Sequence, residues 1–173
     1  MLSIAAFPVA AVTLAVIGCA ALQDVRERLI ANRYSLLIMA FAPLHHATMA
    51  ESLSEWLVIG GSALGVATAL FVAGFILWRL GGLGGGDVKL LCAAVFFVGA
   101  DGAAGLLVAT VIAGGVLALV YVIVPRTLPA ASALLAGPDG ASAPGPGSSI
   151  PYGVAIALGL AAAIVPTLPP VIG

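Results

Sequence analysis

The chain has 173 residues, of which 62% are hydrophobic and 8% charged, with a formal net charge of −1 and a mean hydropathy of +1.24. A water-soluble domain of this size has too little polar surface to clothe so much apolar area, so the composition makes lipid the main solvent. A near-neutral chain with no basic patch gives no reason to expect nucleic acid as a partner. Cys19 and Cys92 lie inside apolar runs without a partner at metal-ligand spacing, and read as small core residues.

One membrane domain, residues 1–173, is expected. Backbone groups in lipid must be satisfied internally, and long apolar runs without alternation select helices over a barrel. The fold class is therefore all-α: a polytopic bundle of about six transmembrane helices. The apolar segments are Leu2–Leu22, Tyr34–Met49, Trp56–Leu80, Val88–Gly99, Gly102–Val124 and Ile150–Val171. The second and fourth fall short of the roughly 20 residues a span requires. A cleaved signal peptide is disfavoured because Met1-Leu2-Ser3-Ile4 has no basic residue, and the same lack weakens Val16-Ile17-Gly18-Cys19 as a lipoprotein box.

Arg26, Arg28, Arg33, Arg79, Lys89 and Arg126 all fall at odd-numbered connections. The even-numbered connections carry Glu51, Glu55, Asp101, His45 and His46. The positive-inside rule then makes the odd connections cytoplasmic and puts both termini outside. From Pro125 to Ser149 the composition turns to Gly, Pro, Ser and Ala, which predicts a cytoplasmic loop.

Acids beside membrane segments are costly, about 2.5–3.5 kcal/mol at mid-bilayer on insertion scales. Glu27, Glu51, Glu55, Asp101 and Asp139 read as solvated interfacial charges. Asp24 closes the first segment and Asp87 opens the fourth after Gly84-Gly85-Gly86, both on the predicted cytoplasmic side. Taken singly, Asp87 suits a helix N-cap and Asp24 a surface charge balanced by Arg26 and Arg28. If the two meet, carboxylates about 4 Å apart at an effective dielectric near 20 repel by about 4 kcal/mol and share one proton. The ionised member can then take a proton from an attacking water while the protonated member serves the peptide carbonyl and the leaving amine. His45 and His46 lack a third metal ligand, Ser148-Ser149 lacks a histidine on its side of the membrane, and the glycine run lacks the lysine of a phosphate loop.

Gly84-Gly85-Gly86-Asp87-Val88-Lys89-Leu90 resembles the GxGD signature of the type IV prepilin peptidases. Asp24 to Asn32 resembles that family's first aspartate motif, and Ile150-Pro151-Tyr152-Gly153 its I-P-[FY]-G segment, with Gly159 further along. The resemblance spans nearly the whole chain. It implies a multi-pass protein of the bacterial inner membrane that cleaves the leader from prepilins or pseudopilins at the cytoplasmic face. It places Asp24 and Asp87 in the catalytic positions, and assigns Gly84, Gly86, Lys89, Asn32, Pro151, Tyr152 and Gly153 to the surrounding motifs. The small size resembles the compact peptidases of tight-adherence (Flp) pilus systems. Two departures stand out: Ile30-Ala31-Asn32 replaces the family's I-P-N, and the paired CxxC motifs of larger members are absent. No zinc or other cofactor is expected, and the methyltransferase activity of larger members is in doubt. Preflagellin peptidases are the neighbouring alternative. Signal-peptide-peptidase types pair GxGD with a P-A-L motif that this chain lacks. A transporter or assembly subunit would use the aspartates as a proton relay, but would be expected to carry them at mid-membrane helix breaks.

Overall fold

The structure, a computed structural model, describes residues 6–127 and 150–164, and every regular element among them is helical. In chain order these are α1 (Ala6–Glu27), α2 (Asn32–Met49), α3 (Leu53–Arg79), α4 (Gly85–Thr127) and α5 (Tyr152–Ile164). α1, α3 and α4 are long and apolar enough to cross a membrane. α2, at 18 residues, and α5, at 13, are shorter.

Local chemistry sets the helix ends. Ser52 caps α3 by accepting a hydrogen bond from the Glu55 amide at 3.2 Å, while the Glu55 carboxylate accepts from the Glu51 amide at 2.7 Å. At the other end, Gly81 takes φ +77°, its amide donating to the Trp78 carbonyl and that of Gly82 to the Leu77 carbonyl. This pair of bonds forms a Schellman stop, which needs a left-handed residue that glycine supplies without strain. The glycine run thereby ends α3 and releases the chain into α4 within a few residues.

The fourth and fifth expected segments lie in one helix, α4, broken at Gly99 (φ 82°, ψ 174°). That backbone region is essentially restricted to glycine. Lys89 meets Asn32 at the start of the first arm, and Tyr121 meets Arg28 near the end of the second. The chain therefore runs out along one arm and returns along the other. Gly159 faces Leu106 and Thr110 whereas Gly114 faces Tyr152, so α5 lies antiparallel to the returning arm.

The first arm of α4 forms the centre of the bundle, with Leu90, Ala94, Val95 and Phe97 fully buried. α4 packs on α2, α3 and α5, and α1 packs on α2 and α5. Large apolar residues such as Leu57, Val72, Val111 and Leu119 stay exposed, as a lipid-facing surface requires. Two expectations need correction. α1 runs on past Leu22 to Glu27, and α4 continues through residues 125–127, where a loop was expected to begin. The rest of that loop and the end of the last apolar segment lie outside the described residues.

Replacing Gly99 with alanine should destabilise the fold by about 1–3 kcal/mol, the cost of holding a Cβ-bearing residue in that region. Thermal unfolding in detergent measures it, and an unchanged midpoint would show that the break does not depend on glycine.

Candidate active site

Because α1 continues to Glu27, Asp24 sits inside its last turns rather than at its end, and it is only 6% exposed. Its Oδ2 accepts a hydrogen bond from the Gly153 amide at 2.7 Å, a buried contact between the first and last described helices. The Val154 amide bonds the Pro151 carbonyl as α5 begins, while the Gly153 amide, which has no carbonyl one turn back to meet, goes to Asp24. A carboxylate gains from this end of a helix through both its donors and its dipole. A Cβ at position 153 would lie 2.9 Å from Asp24 Oδ2 and 3.2 Å from Ile30 Cδ1, so the close approach depends on glycine.

Asp87 is the third residue of α4, and its carboxylate folds back over Gly84. A Cβ on Gly84 would stand 2.6 Å from Asp87 Oδ2. Gly86 abuts Ile30, where a Cβ would come 3.2 Å from the Ile30 Cβ. The two aspartates are within electrostatic reach of each other. Both line one cavity of about 930 Å³, together with Arg28, Asn32, Lys89 and Tyr152. Lys89 Nζ donates to Asn32 Oδ1 at 3.1 Å on the rim. Of the other expected site residues, Gly84 and Gly86 line the cavity, Gly153 bonds Asp24, and Pro151 is buried just before α5.

Three residues of this region take parts that the sequence did not show. Ile30 is buried and wedged between Gly86 and Gly153, so one side chain sets the spacing of the α4 and α5 starts. Its place inside the first aspartate motif was the available signal. Arg28 holds φ +52°, an uncommon conformation for a residue with a side chain. Its Nη2 donates to Tyr121 Oη at 3.2 Å, and its guanidinium lies 5.5 Å from the ring centroid. Nothing in the sequence around Tyr121 marks that pairing.

His45 and His46 depart from expectation. They do not sit in an external connection but are buried inside α2, at 3% and 1% exposure. The His45 ring stacks on Phe97 at 4.4 Å between centroids, and that of His46 meets Phe96 edge-on at 5.5 Å. Aromatic contacts with α4 carry them inward, at the opposite end of the first arm from Asp87. Among the described residues no three His, Cys, Asp or Glu side chains gather to hold a metal ion.

A helical, lipid-adapted bundle with two acids facing one water-accessible cavity defines a class: membrane proteins able to do proton-transfer chemistry at the end of a helix bundle. Residues 11–122 match the type IV leader peptidase family, and the chain belongs to that family. It is accordingly a protease, embedded in the membrane by its apolar helices. No curated protein and no solved structure matches the chain.

Gly153→Ala should displace the Asp24 carboxylate by a few tenths of an ångström or more. Misplacement on the ångström scale costs about a hundredfold in rate. Peptide cleavage by the purified variant, with unchanged circular dichroism, checks this, and parental activity would show that the contact is not needed.

Proposed function

We propose that the protein is an aspartic endopeptidase that removes the leader from type IV, Flp-like prepilins or pseudopilins, using Asp24 and Asp87 as its catalytic pair. The observation that carries this reading is the single cavity lined by both aspartates, at the end of the bundle where Arg26, Arg28, Arg33, Arg79 and Lys89 gather. By the positive-inside rule that end faces the cytoplasm, with both termini outside. The two arms of α4 count as separate crossings, giving six in all across one domain. The setting is the bacterial inner membrane.

In this mechanism the pair holds one proton. The ionised carboxylate takes a proton from water as the water attacks the scissile carbonyl carbon. The protonated carboxyl donates to the carbonyl oxygen, and the proton gained from water later goes to the departing amine. The Gly153 amide holds Asp24 in place through the cycle, and the missing side chain of Gly84 leaves the space that the Asp87 carboxylate occupies. Lys89 and Asn32 stand on the rim to meet polar atoms of the incoming chain.

Co-expression with candidate prepilins, following substrate size on gels, tests the reading. Asp24→Asn and Asp87→Asn should each reduce processing by about 10²–10⁴-fold, the usual worth of a general acid or base. The double variant should fall little further, because the two act as a unit. Normal processing in either single variant, with the protein still in the membrane, would overturn the assignment. Mass spectrometry of the mature N-terminus reports whether a methyl group is added as well.

A further inference from the structure

α2 and α3 both pack on the first arm of α4 but touch each other least of the packed pairs, which leaves a groove between them. Its volume is about 410 Å³. The groove's margins follow helix periodicity: Asn32 to Met39 on α2, Leu64 to Phe71 on α3, and Lys89 to Phe96 on α4. Each stripe covers seven residue steps, or about 10 Å along a helix axis, two turns in length. Ser35, Ala67 and Cys92 make a floor of small, buried side chains, the arrangement that lets another helix come close in lipid.

Two observations indicate what fills it. The groove is continuous with the cavity that holds Asp24 and Asp87, because Asn32 and Lys89 line both. Ser35, 6% exposed and one turn below Asn32, has a hydroxyl with no hydrogen-bond partner. A helix entering lipid leaves its first four amides unpaired, and within the bilayer such donors need a protein acceptor. A lipid tail brings no donor for Ser35, whereas the first turn of a transmembrane helix does.

We propose that the groove between α2, α3 and α4 seats the first two turns of the substrate's apolar helix, the part that follows the scissile bond, with the Ser35 hydroxyl accepting from a first-turn amide. This rests on the proposed peptidase reading. The extended junction would cross the Asn32–Lys89 pair, so that the peptide bond lies over the aspartates while the helix descends on the other side of α4.

The test uses a prepilin that the parent protein cleaves, in full length and truncated before its hydrophobic helix, with detergent-solubilised enzyme. Leu64→Trp and Thr68→Trp, at exposed positions of the groove wall, should raise KM for the full-length substrate about tenfold or more. The preference for full-length over truncated substrate should fall by the same factor. Ser35→Ala should raise KM about two- to tenfold, the worth of one hydrogen bond, with kcat little changed. Leu119→Trp, on the lipid-facing side of the returning arm, should behave as the parent. For a direct readout, Thr68→Cys in a Cys19→Ser, Cys92→Ser, Asp87→Asn background should form an oxidant-induced disulfide with a substrate cysteine in the first two helix turns. Leu119→Cys should not. Parental KM in both tryptophan variants, or cross-linking from position 119 in place of 68, overturns the groove assignment while leaving the peptidase reading intact. If lipid is the true occupant, the tryptophan variants cleave both substrates with parental preference, which also overturns it. Failure of the parent to cleave any prepilin removes the peptidase reading and this inference with it.

Discussion

The 2.7 Å hydrogen bond from the Gly153 amide to Asp24 is the interaction on which the site depends. It joins residues 129 positions apart, and so couples the position of the first helix to the start of the last. A buried carboxylate away from bulk water is tolerable only with a donor of this kind, since an unpaired acid in an apolar setting costs several kcal/mol. The donor also costs the protein little. The Gly153 amide, in the first turn of α5, has no carbonyl one turn back to meet, so giving it to Asp24 satisfies two needs at once. The arrangement holds the acid in place and leaves one face of it toward the cavity.

Around that bond, small residues set the distances. Gly153 and Gly86 are the surfaces against which Ile30 rests, and Gly84 is the surface against which Asp87 rests. Four short chain segments, from α1, the α1–α2 link, the start of α4 and the start of α5, thus converge with the Ile30 side chain as the spacer between the last two. Such closeness explains why the motifs read as glycine next to aspartate. Each glycine in contact with a carboxylate marks where a Cβ would occupy the acid's place. Methylene-sized intrusions into packed sites are resisted strongly, so these contacts confine the carboxylates more tightly than hydrogen bonds alone would.

Much of this was legible in the sequence, and for identifiable reasons. Apolar runs announce helices in lipid because no alternative satisfies the backbone. Charge placement put Asp24 and Asp87 at a common depth without reference to what they do, since Arg26, Arg28 and Lys89 sit beside them. What failed to show were features decided by tertiary contact. His45 and His46 look like residues of a polar connection when read locally, yet Phe96 and Phe97 bring their rings inside. The stretch Val98-Gly99-Ala100 carries no signal that the helix resumes at once after its break. Tyr121 gives no hint of Arg28, and the slack between α2 and α3 cannot be read from either helix alone.

That slack has a structural origin. A bundle packed around one central helix cannot give every helix two full neighbours, and here α4 takes the contacts that α2 and α3 would otherwise make with each other. The side chains facing the gap are large at its margins and small at its floor, the opposite of what closing it would require. At one end of the gap stand Asn32 and Lys89, the same pair that borders the aspartates. A protein that must hold a peptide bond at the end of its helices and the following apolar stretch in lipid needs two surfaces meeting at a polar rim. The first turns of α4 border both, because Gly85, Gly86 and Asp87 line the cavity that Asp24 also lines, Cys92 and Phe96 line the open groove, and Lys89 lines the two together.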